Sequence, residues 1–190
     1  MYKRQDKSLN VIIWKDGTSG YENSPAVILQ GHIDMVAVKE EDCIKDMEKE
    51  GLDLEIQDGY LSAKQTSLGG DDGIAVAYSL ALLASTDIPH PPLEAVFTVD
   101  EEIGMLGAAA IDLSDLNGKI MLNMDSEDEG IFLAGCAGGA SVRCDIPVTK
   151  GTETGVRRTL TLKGFTGGHS GTEIICQRAN TNVLMGRILT

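Results

Sequence analysis

The sequence predicts an α/β protein built on a doubly wound, mostly parallel sheet. Continuous apolar runs of strand length, AVILQGHID (26–34) and LEAVFTVDEE (93–102), have the character of strands buried on both faces, and KIMLNMDSED (119–128) completes a third β-α-β step. Two stretches of helical composition, GIAVAYSLALLAS (73–85) and GMLGAAAIDLSDL (104–116), separate them. Each apolar run also gives way to acidic or histidine residues at its carboxyl end, where open parallel sheets collect their functional groups.

In chain order, residues 1–5 (MYKRQ) show no pattern joining them to the segments after them and read as extraneous to the natural protein. NVIIW (10–14) is a short strand, followed by the turn-rich KDGTSGYENSP and then the first buried run. KEEDCIKDMEKEGLD (39–53) is charged and exposed, a loop or a short helix. In LEIQDGYLSAKQ (54–65), Asp58-Gly59 sits between two alternating stretches, a hairpin signal. The helix from Gly73 packs closely on the sheet through its small residues, and Pro89, Pro91 and Pro92 end that unit. The second helical stretch is a helix with its exit. At GCAGG (135–139) the character changes: SVRCDIPVTK and RRTLTLKGF alternate as strands do, GGHSG is a turn, and TEIICQRANTNVLMGRILT is an amphipathic helix. A boundary near Ala137 therefore divides a first domain, 1–137, from the start of an α+β unit, 138–190, that stops on a helix without a partner and reads as truncated.

A chain of 190 residues holds one ordinary domain, or one domain and part of another. Its 42% hydrophobic and 4% aromatic content implies an aliphatic core. A formal net charge of −13 disfavours nucleic acid and anionic membranes as partners, and bound divalent cations would offset part of it. Cys43, Cys136, Cys144 and Cys176 form no CxxC pair and read as reduced, mostly buried thiols of a cytoplasmic protein. No apolar run reaches the roughly 20 residues that span a bilayer, and the first residues lack a secretory apolar core.

Four segments carry candidate chemistry. His32 and Asp34, two apart on a strand, point to one side, so Asp34 can fix the tautomer of a ligating His32; HxD on its own is weak evidence for this, and a satisfied histidine at a strand end is its more ordinary reading. Asp71 and Asp72 lie among glycines at a helix start, as caps or as a carboxylate bridging two metals. Asp100, Glu101 and Glu102 crowd the end of AVFTV, where their repulsion requires cations or solvent, and one glutamate can ligate while the other acts as base. Asp125 closes IMLNMD at the same edge, with Glu127, Asp128 and Glu129 beyond it and exposed.

Taken as an ordered set, GHIDMV, LGGDDGIAVA, HPPLEAVFTVDEEIGMLGA, MLNMDSEDEG, KGFTGGHSG and QRANTN resemble the aminoacyl-histidine (Xaa-His) dipeptidases, within the two-zinc peptidases and acylases. The resemblance runs from about Asn10 to the end. It implies two Zn2+ per complete enzyme, with Co2+ or Mn2+ as substitutes, and hydrolysis of dipeptides, preferentially Xaa-His. By motif, His32, Asp71, Glu102 and Asp125 are metal ligands, Asp71 the bridge, Asp34 the orienting partner and Glu101 the general base. His169 matches a lid histidine that stabilises the oxyanion, and Asn180 and Arg178 hold the substrate carboxylate. It further implies a homodimer through the lid domain. The chain has Gly70 and Asp72 where the family usually shows LGADNG, which adds a negative charge beside the bridge. Family members are much longer and return to supply a last ligating histidine, so the chain is expected to be an N-terminal fragment, inactive alone. Two rival functions remain: a related two-metal acylase, desuccinylase or aminopeptidase, and a non-catalytic metal-binding domain.

Overall fold

The computed structural model describes residues 1–126, 128–136, 138–140, 142–152, 154–168 and 173–190. The chain divides into two compact units, Met1–Glu129 and Gly130–Thr190. Ala137, where the sequence places the boundary, lies outside the described residues.

The first unit is built on a five-stranded sheet. Its strands are β1 (Tyr2–Gln5), β2 (Val11–Lys15), β3 (Val27–His32), β6 (Leu93–Thr98) and β7 (Ile120–Asn123), in the spatial order β1-β2-β6-β3-β7. β3 pairs in parallel with both β6 and β7, whereas β2 runs antiparallel to β6 and β1 antiparallel to β2. The path from β3 through α1 (Gly70–Ala84) to β6 winds one way. The path from β6 through α2 (Leu106–Ala110) to β7 returns past β3 to the other edge. That reversal is the doubly wound parallel core the apolar runs predict, and it leaves the ends of β3 and β6 side by side.

All six residues of β6 are buried, as a central strand with covered faces requires. Leu83 of α1 packs with Ala95 and Phe97, and Val11, Ile13 and Val76 complete this apolar layer. The small residues of α1 do allow close approach: a Cβ on Gly31 would lie 2.4 Å from that of Ala75, so only glycine fits where β3 meets the helix. β7 is exposed along its whole length.

Residues 1–5 are not extraneous to this fold. Tyr2 to Gln5 pair with Trp14 to Val11. Tyr2 and Trp14 stack with ring centroids 5.3 Å apart, and Arg4 lies over the indole and pairs with Asp115 at 2.5 Å. Backbone pairing has no hydrophobic signature, so a polar edge strand escapes a reading by periodicity. The hairpin comes where expected: β4 (Leu54–Gln57) and β5 (Tyr60–Ala63) pair antiparallel, and Asp58 and Gly59, at φ 52° and 84°, form their turn. Residues 39–53 contain no helix, only turns and an isolated bridge from Lys39 to Thr66.

In the second unit, the alternating stretches 141–150 and 157–165 form no strands among the described residues, and Val142, Ile146, Val148 and Val156 stand exposed. A strand needs a hydrogen-bonded neighbour and an apolar face to bury, and neither is present there among the described residues. The single helix expected at 172–190 is broken. A 3-10 turn (Ile174–Cys176) ends at Gln177, φ 49°, before α3 (Thr181–Leu189) begins. All four cysteines are free, but only Cys43 is buried, so the expectation of mostly buried thiols is corrected.

Candidate metal centre

The carboxyl ends of β3, β6 and β7 and the start of α1 bring seven functional side chains together, those of His32, Asp34, Asp71, Asp72, Glu101, Glu102 and Asp125. His32 closes β3, 2% exposed, and each of its ring nitrogens is engaged. Nδ1 lies 3.0 Å from the backbone carbonyl of Asp34 and 3.4 Å from its carboxylate. A proton on Nδ1 satisfies that carbonyl and leaves the Nε2 lone pair facing the acidic cluster, the tautomer a metal ligand needs. Nε2 is 3.0 Å from Asp71 Oδ1 and 4.0 Å from Glu101 Oε2.

Asp34 grips the acidic turn. Its two oxygens accept the backbone N–H groups of Glu101 and Glu102, each at 3.1 Å. Burial alone would raise the Asp34 carboxyl, but these donors outweigh it and hold it below its ordinary range. An anionic Asp34 therefore orients His32 through its carbonyl and the two glutamates through its carboxylate.

The adjacent aspartates divide. Asp71 is exposed, whereas Asp72 is 1% exposed. Asp72 Oδ2 lies 3.3 Å from the His32 backbone N–H, while its Oδ1 is buried and has no hydrogen-bond partner among the described residues. Burial, reinforced by the charge of Asp125, pushes the Asp72 carboxyl up to about 6. Gly31 makes room for it, since a Cβ there would stand 2.6 Å from Asp72 Oδ2. A buried acceptor with nothing to accept from is an incomplete arrangement. The sequence shows Asp72 only as extra charge beside the bridge. Residue type cannot distinguish neighbouring aspartates; the backbone decides which one turns inward.

Two groups of donors come within ligating reach. His32, Asp72 and Asp125 form one, His32, Asp71 and Glu102 the other, with each group's ligand atoms within 4.8 Å of one another. Imidazole nitrogen with carboxylate oxygen is the donor chemistry of zinc and related divalent ions, and the unpartnered Asp72 oxygen fits a cation. Burial raises Glu101, and Asp125, Glu102 and Asp71 add to the rise against the opposing pull of His32. Burial likewise raises Asp125, with Asp71 contributing. For His32, burial opposes the proton, but the bond to Asp71 and the charges of Asp125 and Asp34 prevail and raise it. On the sheet face that carries Ile28 and Gln30, a cavity of ≈ 260 Å³ is lined by Glu101 and Asp125 as well as by Val96, Met121 and Leu116.

The remaining candidates lie in the second unit. His169 is outside the described residues. Asn180 caps α3, its Oδ1 accepting from the N–H groups of Asn182 and Val183 at 3.0 and 3.1 Å. Arg178 donates to the Gly167 carbonyl and, at 2.7 Å, to Glu173.

The doubly wound sheet and the histidine–carboxylate cluster at its edge define the class, an α/β fold shared with solved peptidases. Over 67% of this chain and 26% of the other, it superposes on an aminoacylhistidine dipeptidase from Vibrio alginolyticus with TM-score 0.65 and 46% identity. The aminopeptidase PepT of Bacillus cereus is more distant, with TM-score 0.52 and 26% identity over 67% of this chain and 34% of that one. More particularly, the chain is a relative of the cytosol non-specific dipeptidase of Escherichia coli K12, 40% identical over 190 residues, as the sequence resemblance leads one to expect. That match covers 97% of this chain and 39% of the relative, so the chain spans about two fifths of that protein's length. No family profile matches the chain. No described helix is long and apolar enough to cross a membrane.

Proposed function

We propose that this chain provides the metal-binding catalytic segment of a cytoplasmic dipeptidase with two divalent cations, zinc in the first instance, and a preference for Xaa-His dipeptides. One observation carries the reading: at one sheet edge His32 is grouped with Asp72 and Asp125 and again with Asp71 and Glu102, Glu101 lies 4.0 Å from its Nε2, and one Asp72 oxygen is buried with no hydrogen-bond partner among the described residues. His32, Asp71, Glu102 and Asp125 hold the ions, with Asp72 added by its position. Bound there, the ions would polarise a peptide carbonyl and acidify water. Glu101 then takes a proton on its carboxylate and returns it to the leaving amine, a role suited to a carboxyl raised by burial. Asp34 holds His32 and the two glutamates in place. His169 as the oxyanion donor rests on the motif GGHSG alone. Arg178 reaches a substrate carboxylate only in competition with Glu173. The Xaa-His preference and pairing through the lid domain rest on the dipeptidase resemblance.

The test has two arms. Calorimetry and Co2+ absorption on the 190-residue chain measure cation uptake. Hydrolysis is measured on the chain extended to the length of its dipeptidase relatives, with Xaa-His dipeptides set against other dipeptides and N-acyl amino acids. Metal uptake with Xaa-His cleavage supports the proposal. Cleavage of N-acyl amino acids alone transfers it to the acylases, and absence of metal uptake overturns it.

A further inference from the structure

We propose that Asn10 is a positioning residue that holds the neck of the acidic turn, and with it Glu101 and Glu102, in register with His32; the inference rests on the metal-centre reading. The turn leaves β6 at Val99 and enters α2. Its backbone closes on itself: Gly107 N–H donates to the Val99 carbonyl and Leu106 N–H to that of Asp100, each at 3.0 Å, and Met105 N–H to that of Glu101 at 2.9 Å.

Asn10 crosses the mouth of this loop from far away in the sequence, and its side chain is buried, 1% exposed. Its Oδ1 accepts the Val99 N–H at 3.1 Å and its Nδ2 donates to the Gly107 carbonyl at 3.0 Å. The second Nδ2 hydrogen goes to Asp6 Oδ2 at 2.8 Å, while Asp6 Oδ1 accepts the N–H groups of Ser8 and Asn10, each at 2.9 Å. Asp6 thus settles which arm of the amide is the donor. One planar group grips both ends of the turn, and it must accept on one arm and donate on the other, which an amide does and a carboxylate or alkyl group does not. A Cβ at Gly107 would stand 2.2 Å from the Val99 oxygen and 2.5 Å from Asn10 Oδ1, so the clamp closes only on glycine. On the inner side Asp34 holds the N–H groups of Glu101 and Glu102. The two glutamates are pinned from within by Asp34 and from the neck by Asn10, and slack at the neck is passed to the carboxylates at the tip.

The experiment uses the 190-residue chain, Asn10→Ala, and the exchanged pair Asp6→Asn/Asn10→Asp. Amide hydrogen exchange is read by NMR at Val99, Glu101, Glu102 and, as reference, Leu29, and Co2+ affinity by calorimetry. Asn10→Ala is expected to speed exchange at Val99, Glu101 and Glu102 relative to Leu29 and to weaken Co2+ binding by about 10-fold or more, the scale of lost orienting groups. The exchanged pair restores the Val99 acceptor, oriented by Asn at position 6, but not the donor to the Gly107 carbonyl, so it is expected to recover Val99 protection without recovering the Co2+ affinity. A parallel rise in exchange at all four amides, or unchanged Co2+ affinity, overturns the proposal in favour of a purely structural role. Should Asn10→Ala not fold, the pair decides: unprotected Val99 in a folded pair overturns the clamp. A wild-type chain that takes up no Co2+ defeats the metal-centre reading separately, and exchange then decides the clamp alone.

Discussion

Asp72 combines two features that ordinary stability would not select: a carboxylate buried beside other acids, and an oxygen with no hydrogen-bond partner among the described residues. Its folded pKa of about 6 lies above the ordinary 3.8, so the folded state binds this proton more tightly than the unfolded one. The contribution to stability is full below 3.8 and is lost as pH rises through 6. The metal-free chain should therefore lose thermal stability across that window, and Asp72→Asn should flatten the loss while weakening Co2+ binding. Melting temperatures against pH, with calorimetry on the same samples, check both effects. Glu101→Gln separates binding from chemistry. It should leave cation uptake near wild type and cut dipeptide hydrolysis by about 100-fold or more in the extended protein, as loss of a general base does.

Elements deliver these residues to one place, and the closest fit is between β3 and α1. Gly31→Ala would drive a methyl group to 2.4 Å from Ala75 and should cost about 1–3 kcal/mol, measured by urea denaturation, with a loss of cation affinity because Asp72 is displaced as well. At the other end of the chain, Asn180→Ala removes the cap of α3 and should cost roughly 1 kcal/mol of helix stability, read as lost far-ultraviolet ellipticity. Legibility in the sequence obeys the same physics. β3 and β6 were legible because burial on both faces writes an unbroken apolar run, and the hairpin because its turn demands residues such as Asp58-Gly59. β1 was hidden because Tyr2 to Gln5 join the sheet by backbone pairing and by Tyr2 and Arg4 on Trp14. Residues 141–150 and 157–165 misled because alternation shows that a strand could pack one face, not that a neighbour is there to receive it. Within the site, the histidine and the acidic residues were visible as types, while the inward turn of Asp72 and the clamp of Asn10 depend on contacts between distant segments.

At the scale of the molecule, the charge balance ties the site to solution conditions. A net charge of −13 with several carboxylates gathered at one sheet edge makes that edge self-repelling without cations. Chelation should lower the melting temperature more at pH 7.5 than at pH 5, where Asp72 carries its proton; saturation at 100 times Kd is worth about 2.7 kcal/mol. Differential scanning calorimetry with and without chelator at the two pH values tests this. The terminal strand has a practical bearing on all such measurements. Trp14 is the sole tryptophan, and it lies against Tyr2 and beneath Arg4 on the antiparallel margin of the sheet. Intrinsic indole emission consequently watches the docking of the first five residues, and an amino-terminal tag or trimmed start would alter the fluorescence baseline without any change among the acidic residues.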